Sequence, residues 1–338
     1  MDVFVCAGCG AELTVPLTRV PLPVEAHLSY GHQPMPPLMA PGTYAVDPEP
    51  SGPPFRPWEE VPEAETTARG LFVPVWPLSF GARNRIVVAP GDVRGTRLIP
   101  EHSGDSCLGM CVGELPSMAC AGCGALVASR VDDCGLWQAV WIEPDTVRRV
   151  PTGLPAPARE FVPLPPIDPS GGWSHVWEAA TGAALARIVA ASGGVRPVLP
   201  DGLLTEVFGP VLDRLLPAGP AARTVGLAGP GLPGDGADIV LVPYGPETGG
   251  SWQPVGGALP VPLADGVWAY LALPGETSPL PSSGTLPEGV LRDDYPLPDH
   301  PWHVFRPDHG AYRETLARIP AVREPWLRAL AGRGFSAS

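Results

Sequence analysis

The sequence predicts an α+β protein: a β-domain over residues 1–150, a proline-rich linker over 151–170 and a mixed α/β domain over 171–338. Three observations carry that division. Before residue 150 the apolar residues fall in short β-branched and aromatic runs bounded by Gly and Pro, the pattern of strands. Pro151, Pro155, Pro157, Pro163, Pro165, Pro166 and Pro169 then crowd one short segment. Only beyond them do apolar residues recur at helical spacing.

Val3–Val5 reads as the first strand and Leu13–Val15 as the next. Residues 16–62 hold 13 prolines, which fix φ and remove donors, so a long irregular excursion is expected. Strand character returns at Leu71–Trp76, Ile86–Ala89 and Thr96–Ile99, then at Leu126–Arg130 and Leu136–Trp141. In the last run Trp137, Ala139 and Trp141 alternate onto one face, the period of a half-buried strand. Val176–Ala191 reads as a helix weakened by Gly182. Leu203–Leu216 reads as a better one: Asp201 is placed to cap it, Pro217 stops it, and Pro210 predicts a kink or a later start. Thr224–Ala228, Ile239–Tyr244 and Val267–Leu273 read as strands, and Tyr312–Leu330 as helix broken at Pro320 and Pro325.

Gly and Pro make up 89 of the 338 residues, a composition that borders on disorder. Ten Trp, six Tyr and eight Phe argue for a packed core instead. All 22 basic residues are Arg, which fits a GC-rich bacterial genome. The formal charge is −13 and both halves share the acidic excess, so binding that depends on neutralising phosphates is disfavoured. The N-terminus has no basic, apolar leader, and no run approaches the roughly 20 apolar residues that span a bilayer. Seven cysteines, an odd number, fit a reducing cytoplasm and thiolate chemistry better than a disulfide framework.

The strongest motif is a hexapeptide that occurs twice, Cys6-Ala-Gly-Cys9-Gly-Ala and Cys120-Ala-Gly-Cys123-Gly-Ala. A C-x-x-C turn supplies two thiolates, half of a tetrahedral zinc site, and the glycine after the second Cys lets the chain turn away. A local pairing with Cys107 and Cys111 competes. Loop entropy does not decide between them, because each doubling of loop length costs only about 0.6 kcal/mol, against roughly 10–16 kcal/mol for a structural zinc. Local pairing would strand Cys6 and Cys9, so the expected ligands are Cys6, Cys9, Cys120 and Cys123 around one structural Zn²⁺. Cys107, Cys111 and Cys134 read as ordinary core cysteines, or as a second site with His102.

With paired knuckles, intervening strands and a hairpin after the second knuckle, residues 3–145 resemble the zinc-ribbon class. More narrowly, they look like the β-tent architecture of Yippee-type proteins and B-type methionine sulfoxide reductases, where two distant C-x-x-C turns meet at one zinc. The resemblance implies zinc-ligand roles for the same four cysteines. The reductases' catalytic-cysteine motif has no match, so reductase activity is not implied.

Elsewhere the chemistry is sparse. Asp299-His300-Pro-Trp-His303 with Asp308-His309 is the densest polar cluster of the second half and reads as a solvated loop. Gly226–Gly236 is glycine-rich, but it runs toward a strand rather than a helix and no Lys exists to complete a phosphate loop. Trp173, Trp177, Trp252 and Trp268 read as core before groove. The expected function is a zinc-stabilised cytoplasmic binding or protein-interaction protein with a protein or small-molecule partner, neither nucleic acid nor membrane. The alternative is a hydrolase or transferase with its site near Asp299–His309.

Overall fold

Most of the β-branched runs form strands or parts of them in the computed structural model. It describes residues 1–75, 77–157, 161–169, 171–220, 222–234, 236–245, 250–254, 256–273, 301 and 304–334. The fold is α+β, and the chain divides into two units: Met1–Val61 with Trp76–Arg159, and Pro62–Val75 with Glu160–Ser338.

The first unit holds β1 (Asp2–Cys6), β2 (Thr18–Arg19), β3 (Thr43–Asp47), β4 (Phe55–Arg56), β5 (Leu78–Ser79), β6 (Arg85–Val88), β7 (Thr96–Leu98), β8 (Met118–Cys120), β9 (Leu126–Val131), β10 (Ala139–Ile142) and β11 (Val147–Pro151). Seven of them form one sheet in the order β2-β3-β6-β10-β9-β8-β7, antiparallel except for β2 with β3. β1 pairs antiparallel with β11 instead, from Asp2 opposite Pro151 to Cys6 opposite Val147. Phe4, Leu13, Leu17, Tyr44, Ile86, Val88, Val140 and Ile142 share one core, where the Phe4 ring meets Tyr44 edge-on at 5.0 Å.

Of the expected half-buried strand at Leu136–Trp141, residues from Ala139 form β10, which is buried on both faces: Val140 and Ile142 face that core while Ala139 and Trp141, with Trp137 before the strand, are buried as well. The proline-rich excursion provides the second cover. His27 stacks on Trp141 at 5.4 Å, Tyr30 meets Trp137 edge-on at 6.1 Å, and Gln138 Nε2 donates to the Met35 carbonyl at 2.9 Å. The excursion is not irregular throughout, since β2, β3 and β4 lie within it; between those strands proline leaves it without ladder donors, and it packs as a sheath.

The second unit contains α1 (Glu63–Ala68), α2 (His175–Ala191), α3 (Leu203–Leu215), α4 (Asp265–Ala272), α5 (His309–Ala317) and α6 (Pro325–Ala331), with β12 (Val225–Leu227), β13 (Ile239–Gly245), β14 (Gly250–Ser251) and β15 (Leu259–Ala264). β13 lies between the parallel strands β12 and β15, and Gly250 and Ser251 pair with its end. Of the glycine-rich stretch Gly226–Gly236, the first two residues end β12, and the described residues after Leu227 form the loop toward β13 that the sequence suggested.

Several sequence expectations change here. Val267–Leu273 is not a strand: residues up to Ala272 form α4, and the strand is the preceding Leu259–Ala264. Pro260 and Pro262 disguised it. Leu259 N–H donates to the Asp238 carbonyl, so the two-residue period turns positions 260 and 262 away from β13, where a missing N–H costs nothing. Leu71–Val75 is not a strand: Leu71, Val73 and Val75 are buried, and the Phe72 N–H is held by the Ala317 carbonyl. Asp201 does not cap α3; Gly202 does, at φ 102°. Pro210 lies inside α3, which begins at Leu203 without a later start. Part of the 151–170 segment is docked on the second unit, since the Leu164 carbonyl accepts from Trp177 Nε1 at 2.7 Å. Trp173, Trp177 and Trp268 are core, as expected.

Candidate metal centre

The two identical hexapeptides fold into the same turn. Cys6 N–H donates to the Ala11 carbonyl, and Cys120 N–H to that of Ala125, both at 2.8 Å. Gly10 N–H returns to the Cys6 carbonyl and Gly124 N–H to that of Cys120, both at 2.9 Å. Gly10 and Gly124 adopt φ of 77° and 79°, a region costly for any residue with a Cβ. The second glycine is therefore needed for its backbone angle; a Cβ on Gly10 would meet nothing within 4 Å. The other glycine of each turn faces sulfur: a Cβ on Gly8 would lie 3.6 Å from Cys123 Sγ, and one on Gly122 3.3 Å from Cys9 Sγ.

The knuckles face each other across 111 to 117 residues of chain, with Cys6 Sγ 3.6 Å from Cys123 Sγ and Cys9 Sγ 3.6 Å from Cys120 Sγ. All four sulfurs lie within 4.8 Å of one another. Sulfurs bound at about 2.3 Å to one tetrahedral ion are about 3.8 Å apart. The residues present fit a metal ion, and they unite the four positions that the sequence singled out. Cys6 and Cys120 are buried in the core, whereas Cys9 and Cys123 lie at the surface.

The electrostatics agree with the geometry. The backbone N–H of Cys9, with smaller help from that of Gly8, draws the Cys6 thiol down to about 7 against the cost of burial. At Cys9 the Ala11 N–H lowers the pKa, but hydrogen bonds with the Cys120 and Cys123 thiols outweigh it and push the group up to about 12. Four thiolates so close need a cation among them before all can ionise.

The local alternative is not realised. Cys107 and Cys111 lie away from the knuckles, and Cys111 Sγ donates to Asp133 Oδ2 at 3.2 Å. His102 joins no cysteine; its Nδ1 lies 2.9 Å from the Pro116 carbonyl. His32, which the sequence reading passed over, does: its Nδ1 lies 3.4 Å from Cys134 Sγ and 3.8 Å from Cys107 Sγ. No local spacing could have flagged it, because the contact spans 75 and 102 residues.

A cavity of about 260 Å³ in the first unit is lined by Ser51, Arg85, Glu114, Ser129 and Glu143, among others. Its buried cation is already partnered, with Arg85 Nη2 at 2.6 Å from Glu143 Oε1. In the second unit Asp308 caps α5 by accepting from Ala311 N–H at 2.6 Å, and His309 stacks on Tyr312. Asp299, His300 and His303 lie outside the described residues. No helix among the described residues is long and apolar enough to cross a membrane. No family model, curated protein or solved structure matches the chain.

Proposed function

We propose that Cys6, Cys9, Cys120 and Cys123 hold one Zn²⁺ as a structural staple, and that the chain is a zinc-stabilised cytoplasmic binding or protein-interaction protein. The observation that carries this reading is the pair of 3.6 Å sulfur–sulfur distances joining knuckles more than a hundred residues apart. Four thiolates in a tetrahedron suit zinc. A closed set leaves no coordination position for a substrate, so the ion's part is mechanical.

The β-tent architecture is supported by the distant knuckles and by the β9–β10 hairpin that follows the second one. Seven free cysteines support a reducing compartment, and the −13 charge favours a protein or small-molecule partner over nucleic acid. Metal analysis of the full chain tests the staple. Wild type carries zinc, Cys9→Ser loses one equivalent and Cys111→Ser loses none. Iron in place of zinc, or a loss on Cys111→Ser instead, refutes the assignment.

A further inference from the structure

We propose a second divalent-metal site, of zinc-type chemistry, formed by His32, Cys107 and Cys134, with its fourth coordination position open to water or an exogenous anion. The three ligand atoms lie within 4.8 Å of one another. The imidazole nitrogen is 3.4 Å from one sulfur and 3.8 Å from the other. One tetrahedral zinc bound at about 2.0–2.1 Å to nitrogen and 2.3 Å to sulfur sets its N and S ligands about 3.6 Å apart. The observed pair brackets that value.

The cluster rests on backbone, not on chance side-chain placement. Tyr30 N–H donates to the Gly135 carbonyl and Gly135 N–H to that of Gln33, both at 2.8 Å. The segment carrying His32 is thereby clamped to the turn carrying Cys134. Gly135 sits at φ 72°, and a Cβ there would collide with the Tyr30 carbonyl. Cys107 is fixed to the same turn from the other side. The Asp133 carboxylate accepts from the N–H groups of Cys107, Leu108 and Gly109 at 2.6 to 3.2 Å, and Met110 and Asp132 exchange hydrogen bonds of 2.8 and 3.0 Å. A Cβ on Gly109 would lie 2.6 Å from the Asp132 carbonyl oxygen. Three distant segments are held so that one imidazole and two thiols converge.

Two thiolates neutralise a divalent ion, and one imidazole makes three protein ligands, the number found where zinc keeps an exchangeable position. Cys111 is the nearby candidate for a fourth, but its thiol is engaged by Asp133. His32 and Cys107 are exposed, so ligands reach the site from solvent. This site is independent of the four-cysteine staple.

The test is zinc per chain in the full-length protein, prepared under reducing conditions with added zinc and then desalted. Wild type is expected to hold two equivalents, and His32→Ala and Cys107→Ser one each. Cys9→Ser separately removes the other equivalent, so the two sites fail distinguishably. His32 is exposed, and an unchanged melting profile in the zinc-free state of His32→Ala shows that the fold survives. Cys111→Ser keeps both equivalents, and in the Co²⁺-substituted wild type added azide shifts the visible spectrum, a response absent from His32→Ala. One equivalent in wild type that His32→Ala leaves in place overturns the site, as does a Cys107–Cys134 disulfide in the reduced preparation. Loss of an equivalent on Cys111→Ser, or a spectrum indifferent to azide, overturns the open position.

Discussion

Replacing Cys9 by serine exchanges a thiolate for a hydroxyl that stays protonated at neutral pH and binds zinc poorly. The sulfur it removes faces Cys120, 111 residues away. Two quantities bracket the loss. A cross-link closing about 100 residues removes roughly 4.7 kcal/mol of unfolded-state freedom, which sets the floor. The apparent binding free energy of a structural zinc, about 10–16 kcal/mol, sets the ceiling. Opposing the loss, Phe4, Leu13 and Leu17 stay buried in the core, each contributing about 1.5–3 kcal/mol, and β1 keeps its five-residue register with β11. The first unit is therefore expected to fold at low temperature and to melt early. At about 2–4 °C per kcal/mol for a domain near 150 residues, even the floor lowers the midpoint by roughly 10–20 °C. Calorimetry of the full chain measures the shift, and hydrogen exchange places it on β1, β8 and β11. A Cys9→Ser protein that has lost its zinc equivalent yet melts within about 2 °C of wild type would falsify the staple.

Three other outcomes follow from particular residues. Gly10→Ala and Gly124→Ala each force a Cβ into a positive-φ backbone and cost about 1–2 kcal/mol, whereas Gly8→Ala meets only ordinary contact at 3.6 Å and is near neutral; equal costs by urea denaturation of the zinc-loaded protein would contradict this. Glu25 is buried, and burial raises its pKa from 4.5 to about 7. Below about pH 4.5 both states hold the proton; as pH rises toward 7 the unfolded chain ionises first, so folding loses about 3 kcal/mol that is not regained above pH 7. Glu25→Gln should gain on wild type between those pH values, and a difference in stability that is the same at pH 4 and pH 8 would remove the argument. Gly182→Ala should destabilise by about 1–3 kcal/mol through overpacking, because a Cβ there collides with the Asp308 carbonyl; helix propensity alone predicts a gain of about 1 kcal/mol, so the sign measured by denaturation decides.

The four-cysteine cluster was legible because its residues announce themselves twice in the same six residues, and identical local chemistry folded into identical turns. The fold was legible where one local pattern dominated, as in α2, α3 and β13. It was obscured where tertiary context reversed the local meaning of a residue. Pro260 and Pro262 argue against a strand, yet β15 tolerates them on the side turned away from β13. Val267–Leu273 carries strand composition, but burial against its surroundings, with Trp268 Nε1 bonded to the Ala228 and Leu241 carbonyls at 3.1 and 3.2 Å, fits a helix equally well. Gly182 reads as a weak point in α2 and is instead where α5 comes closest. The grouping of Pro62–Val75 with the second unit has no local signal, since it depends on where Phe72 finds a partner.

The proline-rich excursion gains a purpose from these contacts. The four-cysteine cluster ties the chain start to residues 120–123, and the His32 cluster ties the excursion to residues 107 and 134. Between them His27 and Tyr30 cover the tryptophan face of β10 and its approach. Within this segment of 13 prolines only β2, β3 and β4 pair as strands, and the stretches between them, where proline removes the ladder donors, are held by side chains and by isolated backbone contacts. Gly135 supplies two such contacts beside His32, and the knuckle at Cys6 fixes the segment's origin. Metal ligation at both places would hold the stretches of this excursion that no ladder reaches, and both clusters join an early residue to a late one.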